Sequence, residues 1–529
     1  MSSERKTKRL SGNSIILSTI LVMAGLVLSK GSGFLRDIFV GIKFSEPLYR
    51  DGFTLAFSIP DLVYNLLIGG SIQSAITPSL SAAIASGNEK KGIRAVSIFI
   101  SFFAVLLITV CTLGVIFSEQ LYSVFSSGDH SAETIELAAA ASKWLFPQII
   151  FMMLAALCIG ILNAYKRFGS TSFGPTIYNF CVLMAIILFA GNSKSMLMRT
   201  TFGIMLAAVV YFLYQAIVGR DKLKPFRFIW APGDKDFNAL VIRAVPILIS
   251  ASVVQVNMLI LNYFAMKLPD SGNVYALRNA STTWQLPYGI FAVAIGNVML
   301  PSLAEHFGKE DFKGASELLS SRLKSALFLC IPSAGFMFLM NFEVIKAIFQ
   351  WSSAYTDADA HRAGQFLAGY SIAIITHSIV FIMNQAFYAI GKTRIPLWAG
   401  CIGLITNPLC CHLLMPHVGA MALTLSYSIT SVLQMTVLCC VYYSYKNIRP
   451  QGMLVFLLKS ALSLAIMVFV VNFIRSYSPV YQGKIYELAY LAGMFLVALF
   501  IYFGCSLLFK VQESRDAIAK LRNIMRKSH

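Results

Sequence analysis

The sequence predicts an all-α protein that crosses a membrane many times. Three observations carry this. Of 529 residues, 57% are hydrophobic and only 13% charged, with a mean hydropathy of +0.70; ordinary soluble domains are about 25% charged. Apolar runs of about twenty residues, enough to span a hydrocarbon core as a helix, recur from end to end. The basic residues concentrate in alternate loops between those runs, the distribution that sets orientation in a bilayer.

In chain order, the apolar segments lie near residues 15–40, 53–80, 95–117, 135–162, 173–190, 197–218, 239–266 and 274–300. Others follow near 323–341, 364–390, 395–414, 418–443, 452–474 and 486–509, giving about fourteen helices, several interrupted by glycine or proline. The first run follows Arg5-Lys6-Thr7-Lys8-Arg9, is too long for a signal h-region and lacks a small-residue cleavage site. One set of loops carries Lys90, Lys91 and Arg94, then Lys166 and Arg167, then Arg220, Lys222, Lys224 and Arg227. Lys309 and Lys313, Lys392 and Arg394, and Lys446 and Arg449 continue that set, while the other loops are balanced, acidic or hold at most a single lysine (Lys194, Lys484) or only histidines (His412, His417). Both termini fall on the basic side, so N-in and C-in is expected, with an even number of spans. Val511–Lys527 has the pattern of a short basic amphipathic helix on the cytoplasmic surface. The net charge of +19 therefore reads as topology and contact with anionic lipid, not nucleic-acid binding. All ten cysteines fall in apolar segments without metal spacing or a disulfide framework.

The chain contains an internal repeat. Glu119-Gln-Leu-Tyr-Ser-Val-Phe125 returns as Glu343-Val-Ile-Lys-Ala-Ile-Phe349, 224 residues later. Pro60, Gly69 and Pro78-Ser-Leu return as Pro287, Gly296 and Pro301-Ser-Leu, the last interval shortened by four residues, about one helical turn. Asn163-Ala-Tyr-Lys-Arg-Phe168 with Pro175 has a looser counterpart in Ala386–Lys392 with Pro396. The expected organisation is a basic tail (1–13), an N-lobe of six helices (14–222), a C-lobe of six (223–446), two further helices (447–510) and a basic tail (511–529). Repeated lobes in one membrane chain point to a transporter.

Charge inside the spans marks candidate sites. Ser29-Lys30-Gly31-Ser32-Gly33-Phe34-Leu35-Arg36-Asp37 lies within the first apolar segment, where a central cation costs roughly 2.5–3.5 kcal/mol on insertion scales. The stretch either snorkels at the membrane edge or lines a polar cavity, with Gly31 and Gly33 permitting a bend. Helical spacing puts Lys30 and Asp37 on one face and Arg36 on another. The other ionisables in or beside spans are Asp51, Asp61, Lys143, Arg278, Lys324, His377 and Lys459. Lys324 and Lys459 sit near helix ends and read as snorkelling. Asp61 follows Pro60 and reads either as a kink partner or as a site group. His377 reads either as a packing residue or as a proton relay. Arg278, with Asn279, Ser281, Thr282 and Gln285 around it, makes a polar helical face suited to a cavity. A cationic cavity suits phosphate or pyrophosphate, through charge-assisted hydrogen bonds. There is no Walker loop, and Asp357-Ala-Asp359 reads as helix capping rather than a metal pair.

These motifs resemble the MurJ (MviN) family of lipid II flippases, within the multidrug, oligosaccharidyl-lipid and polysaccharide exporters. The resemblance rests on Ser29-Lys30 with Gly33-Phe34-Leu35-Arg36-Asp37, Asp51, and the Pro60…Gly70…Pro78 helix. It extends through Lys143 with Phe146-Pro147, Gly160–Asn163, Arg167-Phe168, Pro175-Thr176 and Asn179. Leu286-Pro287-Tyr-Gly289, Leu300-Pro301-Ser-Leu303 and Lys392-Thr393 with Pro396 complete it, over nearly the whole chain. The family implies two lobes in a V around a cationic cavity, with a groove at the last two helices for a polyprenyl tail. By position, Lys30, Arg36 and Asp51 would line the head-group site or its gate, with Asp37 and Arg278 beside them and Ser29, Asn65, Lys143, Thr282 and Gln285 as further members. The chain departs from the family pattern: the basic pair and glutamate of helix two fall at Tyr64, Asn65 and Gly69. The helix-eight arginine falls at Thr282 and its acidic neighbour at Gln285, with Arg278 one turn away as a substitute cation.

The expected activity is outward flipping of the undecaprenyl-pyrophosphate-linked peptidoglycan precursor across the bacterial cytoplasmic membrane by alternating access. No catalytic residue, metal or cofactor is expected; membrane potential or an ion gradient, ion unspecified, would drive it, and a monomer suffices. An exporter of another polyprenyl-linked glycan and a non-transporting scaffold are the alternatives. Twelve-helix drug exporters lack the two extra spans.

Overall fold

The computed structural model describes residues 28–29, 31–67, 71–126, 132–167, 171, 173–444, 452–478, 483–516 and 518–519. Among them every regular element is helical. Nine helical runs are long and apolar enough to cross a membrane, and three shorter apolar helices accompany them. One of the nine, Arg394–Ser444, is a 51-residue run that contains two of the expected spans.

The first of two compact units, Met1–Tyr275, contains α1 (31–43), α2 (Pro47–Ala56), α3 (Ser58–Leu67), α4 (Ser71–Ala85), α5 (Glu89–Ile116) and α6 (Ser118–Ser123). It continues with α7 (Ala132–Ala164), α8 (Gly174–Phe189), α9 (Lys194–Val218), the one-turn α10 (Arg220–Leu223) and α11 (Lys235–Met266). Helix α7 is its axis, with α2, α4, α5 and α9 packed around it. Phe99, Phe103, Phe146 and Met153 form the core between α5 and α7. The ends follow from local chemistry. Pro47 and Pro175 open α2 and α8, where a missing N–H costs nothing. The Ser193 hydroxyl accepts from Met196 N at 3.2 Å to start α9, and Asp234 accepts from Asp236 N and Phe237 N to start α11.

The second unit, Ala276–His529, takes up α12 (Asn273–Pro287), which begins just before the boundary, a π-helical turn (Tyr288–Val293), α13 (Ala294–Gly308), α14 (Phe312–Leu339) and α15 (Asn341–Phe349). Then come α16 (Asp357–Ala389), α17 (Arg394–Val418), α18 (Ala422–Ser444), α19 (Met453–Tyr477) and α20 (Lys484–Leu508). Here α16 is the axis, with α13, α14, α15 and α18 around it and α19 against α14. Helices α16 and α18 approach closely. A Cβ at Gly369 would sit 2.1 Å from Thr424 Oγ1, and the Ser428 hydroxyl donates to the Gly369 carbonyl at 2.6 Å.

The repeat read from the sequence appears as repeated architecture. A 28-residue helix, a short helix and a 33-residue helix follow one another as α5–α6–α7 in the first unit. The same succession, again 28 and 33 residues around a short helix, occurs as α14–α15–α16 in the second. The expected boundary at 222/223 moves to 275/276, because α11 packs its length against α3, α4 and α5. Pro287 does not break its helix. The missing N–H removes one rung, and the ladder continues through a π turn into α13. Asp359 takes the capping role read for it: its carboxylate accepts from Thr356 N at 3.0 Å while Thr356 Oγ1 accepts from Asp359 N. The C-terminal expectation concerns mainly residues outside the description; at its start Val511 and Ser514 are buried, and 512–516 are helical.

Candidate functional site

The charged stretch that the sequence singled out lies at the start of the first unit. Lys30 is outside the described residues. Arg36 and Asp37 form an ion pair within α1: Arg36 Nε donates to Asp37 Oδ1 at 3.0 Å, and Nη2 stands 2.9 Å from the same oxygen. Helix geometry separates their Cβ atoms, which led to the expectation that Arg36 points elsewhere. The long side chain wraps back across that angle to reach its neighbour. Asp37 is buried and Arg36 half-buried, with Tyr178 and Asp61 within electrostatic range of the guanidinium. Asp37 thus occupies the Nε/Nη2 edge of the guanidinium through one carboxylate oxygen and fixes its plane. On the other flank, Asn179 Nδ2 donates to the Ser29 carbonyl at 3.1 Å and to its hydroxyl at 3.3 Å, tying α8 to the residues just before α1.

Asp51 is 2% exposed and both its oxygens are occupied. Oδ2 accepts from Gly272 N at 2.6 Å and Oδ1 from Tyr275 N at 2.9 Å, so the carboxylate caps the first turn of α12. Its structural position is therefore a cap rather than an open lining. Tyr275 closes the arrangement by donating its hydroxyl to the Asp37 carbonyl at 2.6 Å, and the buried Arg50 guanidinium carbon lies 5.7 Å from the Tyr275 ring centroid. Thus α1, α2 and the start of α12 are bound into one polar knot beside the Arg36–Asp37 pair.

The remaining candidates separate. Asn65 donates to the Asp61 carbonyl at 2.8 Å and serves its own helix. Lys143 donates to Glu119 at 3.1 Å as a surface pair, the lysine side chain 39% and the glutamate 72% exposed, so it does not face a buried site. In the second unit, Arg278, Thr282 and Gln285 recur at helical spacing on the accessible face of α12, with Gln285 donating to the Ser281 hydroxyl at 3.0 Å. Asn279 and Thr283 belong to the opposite, buried face, where Asn279 Nδ2 approaches Tyr355 Oη at 3.3 Å.

Arg50 and Tyr275 are not among the candidates read from the sequence. The available signal was the spacing Arg50, Phe53, Thr54, one face of a ten-residue helix whose members are all buried.

Residues 43–493 match the family described as "Lipid II flippase MurJ". The chain belongs to the MurJ family. Among its relatives, the lipid II flippase MurJ of Burkholderia cenocepacia is 26% identical over 431 residues, covering 79% of this chain and 82% of the relative. The probable lipid II flippase MurJ of Bdellovibrio bacteriovorus is 24% identical over 517 residues, covering 95% and 96%. A solved structure of lipid II flippase MurJ in an inward closed conformation superposes with a TM-score of 0.76 at 22% identity, covering 94% of this chain and all of that one. An inward-facing multidrug-resistance MATE transporter of the MOP superfamily follows at a TM-score of 0.65 and 13% identity, covering 79% and 96%. These likenesses establish the fold. The MurJ match runs through the second element of the knot, Arg50–Asp51, and through Arg278, while the Arg36–Asp37 pair lies just ahead of it.

Proposed function

We infer that this chain is a flippase that carries lipid II, the undecaprenyl-pyrophosphate-linked peptidoglycan precursor, from the inner to the outer leaflet for cell-wall synthesis. The observation that carries the reading is the family match over residues 43–493. In the first unit, the Arg36 guanidinium, pre-oriented by Asp37, is the proposed contact for the pyrophosphate. Lys30, six residues earlier in the sequence, is proposed to add a second cation. A dianionic head group would compete with Asp37 for the guanidinium, so the carboxylate would act as the counter-ion that takes the cation back on release. In the second unit Arg278 is the candidate cation, on the face it shares with Thr282 and Gln285. Asp51 and Tyr275 would act by tying α1 and α2 to the first turn of α12 within the first unit.

Translocation makes and breaks no covalent bond, so no catalytic residue is assigned. The alternation of loop charge supports N-in and C-in in a bacterial cytoplasmic membrane, with the basic loops against anionic lipid. A single chain holding both repeats supports a monomer, and the absence of a nucleotide motif from the sequence supports an ion gradient or the membrane potential as the energy source.

The test is complementation of a bacterial strain depleted of its lipid II flippase. Wild type is expected to restore growth, and the Lys30→Ala/Arg36→Ala double mutant, at equal membrane levels, to fail. Rescue by both would keep the activity and remove the assigned site; failure of well-inserted wild type would remove the activity.

A further inference from the structure

The second unit contains a histidine enclosed in aromatic rings that the flippase reading does not use. His377 lies on α16 twenty residues from the start of a 33-residue helix, about 30 Å from one end and about 18 Å from the other. It is therefore deep within the span. Its ring centroid lies 5.8 Å from Trp284, edge-on, 5.6 Å from Tyr288 and 5.4 Å from Tyr427. Tyr370 backs the group, stacked on Trp284 at 5.5 Å and edge-on to Tyr427 at 5.4 Å. These are contact spacings for packed rings. An organic ligand has no room between them.

The polar atoms are unevenly matched. His377 Nε2 and the Tyr427 hydroxyl are 3.2 Å apart, while the buried Nδ1 has no hydrogen-bond partner among the described residues. A buried N–H without an acceptor is rarer than an under-used acceptor. The favoured arrangement is thus Nε2–H donating to Tyr427 Oη, with Nδ1 presenting a bare lone pair. The titratable groups in ring contact with the imidazole are Tyr288 from the π turn and Tyr427 from α18; further out lie Tyr370, packed on Trp284 and Tyr427, and Cys330 from α14, bonded to the neighbouring Ser378. No ion pair reaches His377 among the described residues. A proton added at Nδ1 would therefore create a cation with no carboxylate beside it among the described residues, held among three aromatic rings whose centroids lie within 6 Å.

We propose that His377, caged by Trp284, Tyr288 and Tyr427, is a proton-binding site of this transporter and that the proton it takes up is coupled to the transport cycle. A proton from the aqueous phase adds to the Nδ1 lone pair, and the imidazolium keeps its Nε2–H bond to Tyr427; loss of the same proton restores the neutral ring. The coupling part rests on the flippase reading above, whereas proton binding does not.

The proximity of Trp284 supplies the readout, because an imidazolium quenches a neighbouring indole more strongly than a neutral imidazole. The sequence has five tryptophans, so a Trp284-only protein is made by converting Trp144, Trp230, Trp351 and Trp398 to Phe. Its fluorescence in purified, detergent-solubilised form is scanned from about pH 8 down to about pH 4. The expected result is one reversible single-proton step, absent when His377→Gln is added and displaced in pH by Tyr427→Phe. A flat profile in protein that stays folded, or an identical step in the His377→Gln protein, overturns the site. In the second arm, His377→Gln at wild-type membrane levels is expected to lose rescue of the depleted strain at least tenfold in plating efficiency; full rescue overturns the coupling. If wild type itself does not rescue, the flippase reading fails, and the fluorescence arm still decides whether His377 binds the proton.

Discussion

Glu119 and Glu343 open the same sequence pattern and occupy the same place in the two units, each on the short helix between a 28-residue and a 33-residue helix. Their partners differ. Glu119 pairs with Lys143 on the surface of its own unit, the glutamate 72% and the lysine 39% exposed. Glu343, 21% exposed, receives Arg475 from α19: Nε donates to Oε1 at 2.7 Å, Nη2 lies 2.7 Å from the same oxygen, and Nη1 donates to the Leu339 carbonyl at 2.9 Å. The short helix α15 also holds α20. Lys484 donates at 2.7 Å to both the Lys346 and the Gln350 carbonyls, placing an ammonium at the negative end of α15. Lys346 in turn pairs with Asp357 at 2.9 Å. The comparison shows how a duplicated lobe acquires new parts. In one copy the glutamate sits in an exposed ion pair; in the copy beside α19 and α20 it is part of a clasp. Since α19 and α20 lie beyond the repeated helices, the clasp is what ties these two helices to the second repeat.

The largest effect is expected from cutting that clasp. Glu343→Ala leaves a partly buried guanidinium without its carboxylate, which costs about 2 kcal/mol. Glu119→Ala, the matching change in the first unit, removes an exposed pair and costs about 0.5 kcal/mol. Thermal unfolding of the two purified variants checks this, with Glu343→Ala the less stable by a clear margin. Equal shifts would mean that the two copies are energetically alike and that the difference in partners is incidental.

An intermediate effect is expected from Lys484→Met, which keeps an unbranched apolar side chain and removes the ammonium from the two α15 carbonyls and from the Trp351 ring it faces at 5.1 Å. Loss of a charge-assisted hydrogen-bond set of this kind costs about 1.5 kcal/mol. The change should be local. Amide exchange should quicken at the end of α15 and the start of α20 and stay unchanged across α5–α7. Faster exchange in α5–α7 as well would show that the clasp supports the whole chain rather than the added helices.

Much of this was legible in the sequence, for identifiable reasons. The helices were legible because a bilayer permits little else, so length and hydropathy suffice. The repeat was legible because Glu-x-x-x-x-x-Phe and the spaced prolines survive at fixed separation. The partners of the charges were not, because they depend on which helices meet. Glu343 reaches Arg475 across 132 positions, and Asp51 reaches Tyr275 across 224. Neither distance carries a local signal. Arg36 was misread for a different reason: helical phase fixes where a Cβ points, whereas an arginine side chain is long enough to turn back onto the adjacent residue. The same limit applies to His377. Its flanking residues, Thr376 and Ser378, carry no aromatic signal, and the rings that enclose it come from α12, the π turn and α18.

The smallest effect sharpens the comparison through salt. Lys143→Ala should leave growth rescue intact and change thermal stability by less than about 0.5 kcal/mol, because an exposed lysine–glutamate pair offers little beyond what water offers. A double-mutant cycle on Glu119 and Lys143 should give a small coupling that vanishes near 1 M salt, where the screening length falls to about 3 Å. The same cycle on Glu343 and Arg475 should give a larger coupling that persists, since that pair is only partly open to ions and is reinforced by the Leu339 carbonyl. Coupling that salt removes from both pairs would place the Glu343 pair in solvent as well, and the division between a solvated copy and a clasping copy would then have to be abandoned.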